Sequence, residues 1–323
     1  MSRLWYIARR FGFATFAAYI VLSVAFFVVA TIPDPNLGMI ARGARDQDSA
    51  LAAVREAKNL DEPLMDRYVN WLVDYATFDW GTAVGAYGQP GAPITDILAD
   101  AVPITLAYVL PGVVGSFVVA LAVGSYLALA PESRLAQVLS SGSYLAFGVA
   151  NYFLAICLGF VISTELGWRL SFPRDPVAAL TTDPLSLVPY LVPAAVLSTT
   201  LAGGQLRYVR AESADILGED FVKLVRSKGA SDVRVMRHVL SNAALPLVSL
   251  VFADLLSVLV VQVYVLEFVF GMPGIGRIGL QAIADRNMPL IIGTTMVVAY
   301  AGIGANFLQD VAAAWFDPRA EFE

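Results

Sequence analysis

Two carboxylates stand out in an otherwise apolar stretch. Val239 to Leu266 carries no Asp, Glu, Lys or Arg apart from Asp254, and Glu267 follows directly. An acid at mid-bilayer costs roughly 2.5–3.5 kcal/mol on insertion scales, so it faces a bundle interior or a water path. Asp254 lies eight residues past Pro246, about 12 Å along a helix. With Ser257 and Gln262 it forms a loosely polar face. That face reads equally as the lining of a translocation path and as a hydrogen-bonding surface for a neighbouring helix. Glu267 precedes Gly271 by four residues and reads as a structural hydrogen-bonding group in a turn at the outer boundary. Neither acid belongs to a series of charges, which argues against a proton relay.

Other chemistry lacks its residues. A single histidine, His238, excludes a His-rich metal site, and a single cysteine, Cys157, excludes an intrachain disulfide framework. No G-x-x-x-x-G-K-[ST] loop and no H-E-x-x-H are present, so neither that mode of ATP binding nor zincin chemistry is encoded. The sequence reads as a non-enzyme that binds no cofactor of its own.

The elements that must position these acids are membrane spans. Hydrophobic residues make up 58% and charged residues 15% of 323, against about 45–50% and 25% in soluble domains. The net charge of −6 offers no basic footprint for nucleic acid. A hydrocarbon core of about 30 Å takes roughly 20 apolar helical residues. Stretches of that kind run over 11–32, 101–131, 135–164, 184–206, 239–266 and 287–309. The fold class is therefore an all-α polytopic membrane protein with six transmembrane helices. Arg3, Arg9 and Arg10 precede the first span, which is too long for a cleaved leader and reads as an anchor.

With the N-terminus inside, the cytoplasmic segments hold 12 Lys and Arg in 65 residues and the external ones 9 in 113. That bias favours an N-in, C-in topology. The external segments also hold 15 acids, which fits either a high-salt exterior or chance. Residues 1–32 form the anchor and 33–100 an external segment. Within the latter, Pro33-Asp34-Pro35 ends the first helix, Ala50 to Asn59 and Leu64 to Tyr75 read as short helices, and Gly81 to Pro93 as a loop. Residues 101–312 form a five-helix core, and 313–323 a cytoplasmic tail. Small residues such as Gly112, Gly115, Gly124, Gly302 and Gly304 read as ordinary membrane composition. The 206–242 segment is the most polar of the chain, with helical spacing on both sides of Gly229. It reads as a solvated helix pair or as a dock for a soluble partner.

The stretch EDFVKLVRSKGASDVRVMRHVLSNAALP, Glu219 to Pro246, resembles the cytoplasmic coupling loop of permease subunits in the oligopeptide/dipeptide family of ABC importers. LEFVFGMPGIGRIGLQAI is similar to that family's V-E-x-V-F-x-x-P-G-x-G run, on Glu267, Val269, Phe270, Pro273, Gly274 and Gly276. Arg286 and Pro289 fit its R-D-x-P step, Asp317-Pro318-Arg319 its terminal D-P-R, and Leu60 to Leu64, Tyr68, Trp71 and Pro103-Ile104-Thr105-Leu106 its N-terminal half. The long segment after the first span matches the first of the family's two permease types. Four features depart: Asn287 stands for Asp, Gly148-Val149-Ala150 for Ser-x-Pro, the Gly229-to-His238 gap is one residue short, and the EAA-type signature ahead of Gly229 is degenerate at Lys223-Leu224-Val225. The resemblance implies a type I importer permease in the cytoplasmic membrane. It would work with a homologous second permease, two ATPase subunits that hydrolyse ATP, and an external binding protein. Gly229 would then break one helix so that a short second helix lies along the membrane surface. Small residues Ser227, Ala230 and Ser231 would fit a cleft on the ATPase, and Arg226, Lys228 and Arg234 would pair with its acids. Peptides are the expected substrate class. A free-standing secondary transporter or channel is the competing reading, but such a carrier needs no charged dock.

Overall fold

The computed structural model describes residues 3–31, 62–83, 91–167 and 170–316. The expected features at Pro33–Pro35, Ala50–Asn59, Leu60-Asp61, Gly85–Pro90 and Asp317–Arg319 lie outside the described residues. The described chain is helical, with one isolated bridge between Thr82 and Pro93.

α1 spans Arg3–Thr31, α2 Leu64–Ala76 and α3 Ile94–Leu129. α4, Arg134–Gly148, and α5, Asn151–Thr164, follow. α6, Pro176–Thr182, leads through a 3-10 turn to α7, Leu191–Leu217. α8, Asp220–Ser227, and α9, Asp232–Asn242, form a hairpin. α10, Ala244–Ser257, continues through a π turn, Val258–Gln262, into α11, Val263–Phe270. α12, Ile275–Ala284, and α13, Met288–Phe316, complete the chain.

Five helices are long and apolar enough to cross a membrane, and α4 with α5 make a sixth if the pair is one span. The third expected span, 135–164, is thus not one straight helix. It bends by 96° between α4 and α5, at Gly148-Val149-Ala150, where Val149 and Ala150 are extended. Each half is about 21–23 Å long at 1.5 Å per residue, too short to cross alone.

An ion pair argues that the bent pair does cross. Arg10 near the start of α1 meets Asp310 near the end of α13 at 3.3 Å, and Phe11 meets Phe307 edge-on. The start of α1 and the end of α13 therefore lie on one side, which requires an even number of crossings between them.

Other boundaries move. The expected fourth span ends at 206, but α7 runs on to Leu217, so the polar segment begins inside a helix that is still packed, with Val209 and Ser213 buried. The expected fifth span begins at 239, but Val239 belongs to α9 and the span starts at Ala244. Charge on one face is compatible with helix continuation, which moved the first limit; the second moved because the end of α9, Val239–Asn242, is itself uncharged.

Glycine sets the approach of α3 to α7. A Cβ on Gly112 would sit 2.9 Å from Leu197 Cδ2, and one on Gly124 2.8 Å from Val209 Cγ1 and 3.0 Å from Leu206 O. These two are contact residues, contrary to the reading as ordinary composition, whereas Gly304 has open space around it. α2 leans on α1: Trp71 Nε1 donates to Leu22 O at 3.2 Å, and the Tyr68 hydroxyl lies 2.7 Å from Ser23 Oγ. Asn287, in place of Asp, still caps α13, accepting from Leu290 N at 3.3 Å.

Candidate functional site

The α8–α9 hairpin is built by its sequence. Phe221, Val222 and Val225 on α8 and Val235, Met236 and Val239 on α9 pack together with Ala128 and Leu129 at the end of α3. Gly229 turns the chain at φ +76°, the left-handed region that favours glycine. Its amide donates to Arg226 O at 2.9 Å. The turn leaves Arg226, Ser227, Lys228, Gly229, Ser231 and Arg234 exposed and Ala230 half-buried. Lys223 pairs with Asp220 at 2.7 Å. Among the described residues, Arg226, Lys228 and Arg234 make no ion pair. Leu224 and Val233 are also turned outward, 58% and 82% exposed.

The acids of the fifth span have different surroundings. Asp254 is half-buried and accepts from Gln205 Nε2 of α7 at 2.8 Å. Ser257 is exposed. Gln262 accepts from Asn151 Nδ2 at 2.6 Å, and Asn151 in turn accepts from the Thr200 hydroxyl. Thr200, Asn151 and Gln262 therefore tie α7, the start of α5 and the π turn together where both latter helices are irregular. Side-chain hydrogen bonds across helices are the expected adhesive at such depth. The expected polar face is split: Asp254 and Gln262 serve separate interhelical bonds.

Glu267 is fully buried. Its Oε1 accepts from Thr105 Oγ1 at 2.6 Å and from the Tyr108 hydroxyl at 3.3 Å, both on α3. Its Oε2 accepts from Arg277 N at 3.1 Å, and Thr105 Oγ1 accepts from Ile275 N at 3.0 Å. Residues 275 and 277 open α12, so the carboxylate and Thr105 cap the positive end of that helix. The motif glycines have steric reasons. A Cβ on Gly274 would lie 2.2 Å from Glu267 Oε1, and one on Gly276 2.7 Å from Tyr264 backbone. Pro273 precedes them in the turn after α11. Glu267 therefore caps its own turn and also joins α11, α12 and α3.

Sequence reasoning missed Gln205, Asn151, Thr200, Tyr108 and Arg277. Thr105 and Asn151 lay in or beside recognisable motifs, but nothing in spacing alone pairs Gln205 with Asp254 or Thr200 with Asn151, 49 positions apart, or Asn151 with Gln262 and Tyr108 with Glu267, more than a hundred apart. Among the described residues there is no cluster of three metal-ligating side chains.

Known proteins share this arrangement of sequence. An oligopeptide transport system permease protein of Bacillus subtilis (strain 168) is 28% identical over 271 residues, covering 83% of this chain and 84% of that one. A dipeptide transport system permease protein of the same organism is 26% identical over 318 residues, 97% of each. A metal-staphylopine import system permease protein of Staphylococcus aureus (strain Mu50 / ATCC 700699) is 27% identical over 308 residues, 94% of each. Residues 120–322 match the family model of the binding-protein-dependent transport system inner membrane component. That match takes in α7, the hairpin, Asp254 with Gln205, Glu267 with the start of α12, and α13, so the chain belongs to that family of multi-pass membrane transport permeases.

Proposed function

We propose that this chain is the permease subunit of an ATP-driven importer for peptides or a related small solute. It pairs with a homologous second permease and two ATPase subunits, and an external binding protein delivers the substrate. ATP is bound and hydrolysed on the ATPases. The hairpin lies on the cytoplasmic side, with both chain termini, in the N-in, C-in sense.

The observation that carries this reading is the exposed turn around Gly229. Arg226, Lys228 and Arg234 stand there without ion pairs among the described residues, beside the outward-facing Leu224 and Val233. An apolar knob ringed by cations fits a cleft with acidic edges on a soluble partner. Ser227, Gly229, Ala230 and Ser231 keep the tip slim. Closure of the ATPases moves this hairpin, and the α3 and α9 packing passes the movement into the bundle. Asp254 and Ser257 face the solute path. The peptide substrate class rests on the names of the relatives, and selection among solutes falls to the binding protein.

Cross-linking tests the dock. In a Cys157→Ser background, Ser231→Cys should form a disulfide with cysteines placed around the cleft of the ATPase subunit from the same organism. Cysteine at Gly304, within the apolar span α13, should not. A chain that transports solute alone in liposomes, without ATPase, would instead support a free-standing carrier.

A further inference from the structure

α4 and α7 run antiparallel and touch at Gly203, where a Cβ would sit 3.0 Å from Phe147 Cβ and from Ser143 O. One and two turns farther along α7 come Arg207 and Arg210, both half-buried. The Arg207 guanidinium lies 4.3 Å from the centroid of the Phe147 ring and 5.3 Å from that of Tyr144. Its Nε donates to Gly203 O at 3.1 Å. Arg210 Nη1 donates to Ser140 Oγ at 3.2 Å. Among the described residues neither arginine makes an ion pair. A guanidinium carries five N–H donors, so each has most of them uncommitted.

Arg210 opens onto a cavity of about 240 Å³, lined also by Gln137, Ser140 and Ser141 of α4. Next to these residues, Leu135, Val138 and Leu145 form a stripe on α4 that is 55%, 67% and 72% exposed. A cationic, hydroxyl-rich cavity beside an apolar stripe on a span has the two-part chemistry of a phospholipid. Basic pockets between transmembrane helices are where anionic headgroups bind, and an unpaired cation on a span needs such a counter-ion.

We propose that this cavity holds the headgroup of an anionic phospholipid. Its phosphodiester meets Arg210, with Ser140, Ser141 and Gln137 donating, and its acyl chains run along Leu135, Val138 and Leu145. Arg207, held over the two rings, adds positive potential one turn away. The site would fasten α4 to α7 just below the 96° bend.

The test uses the full chain, purified and delipidated in detergent. Short-chain phosphatidylglycerol, phosphatidylcholine of equal chain length and inorganic phosphate are each titrated, with bound ligand counted by native mass spectrometry. Phosphatidylglycerol should bind at least tenfold more tightly than phosphatidylcholine, and millimolar inorganic phosphate should not displace it. Arg210→Gln should weaken phosphatidylglycerol binding about tenfold or more. Ser141→Phe, which fills the cavity and leaves the charge, should do the same if Arg210→Gln fails to fold. Equal binding of the two lipids, displacement by inorganic phosphate, or unchanged affinity in a folded variant would overturn the proposal.

Discussion

Replacing Glu267 by alanine removes the one acceptor shared by three elements. The Arg277 amide and the Tyr108 hydroxyl lose their carboxylate partner. The Thr105 hydroxyl can turn to Ala101 O, 3.4 Å away. Two stranded buried donors cost about 1–3 kcal/mol each. Losing a negative charge at the start of α12 adds about 0.5–2 kcal/mol. Partial relaxation brings the expected loss for Glu267→Ala to about 3–5 kcal/mol. Glu267→Gln keeps one carbonyl acceptor for the Arg277 amide and should lose only about 1–2 kcal/mol.

Gly274→Ala places a methyl 2.2 Å from Glu267 Oε1. It must expel the same carboxylate and should come close to Glu267→Ala. The two changes should therefore not add: with the carboxylate gone, the alanine at 274 has room. Unfolding in mixed detergent and SDS micelles, followed by far-UV circular dichroism, gives each value. Full additivity, or a Glu267→Ala loss below about 0.5 kcal/mol, would refute the capping role.

The remaining expectations concern the bundle and its bend. Gly124→Val, pressed against Val209 and the Leu206 carbonyl, should cost about 1–3 kcal/mol or more. Gly304→Ala, with open space around it, should be neutral within about 0.5 kcal/mol; both are read in the same unfolding assay. Asp254→Leu strands the Gln205 amide and should lose about 1–3 kcal/mol, while Asp254→Asn keeps an acceptor and the fold. A normal solute uptake rate in the assembled Asp254→Asn transporter would remove Asp254 from the path. Asn151→Ala, which releases Gln262 and Thr200, should raise spin-label mobility at the 149–150 bend; unchanged mobility would contradict the network.

Much of this architecture was legible because lipid makes one demand very plainly. Long apolar stretches there must be helical, and six were visible, five of them free of charge and one broken only by Asp254. Helix ends were less legible, because α7 continues for eleven residues beyond the apolar run, with Arg207 and Arg210 packed on α4 and the acids Glu212 and Asp215 outside the core. The bend at Val149-Ala150 had only a weak sign, a glycine and an absent proline. Gly229 was readable from local chemistry, since a glycine between two amphipathic segments is a turn signal. Glu267 was readable as a hydrogen-bonding group but not as a cap for α12, because its partners Thr105 and Tyr108 lie some 160 positions away. Pairings of that range are set by the packing of whole helices and leave no local mark.

The central claim is that energy reaches this chain through the hairpin at Gly229. ATP-driven solute uptake and ATP hydrolysis should be measured together in liposomes holding the complete transporter with Gly229→Glu. A Cβ at Gly229 meets nothing within 4 Å, but its φ of +76° disfavours any side chain, so the change deforms the tip and leaves the spans in place. The expected result is an intact assembly with uptake reduced at least tenfold per ATP hydrolysed. Unchanged uptake per ATP in that variant would contradict the account.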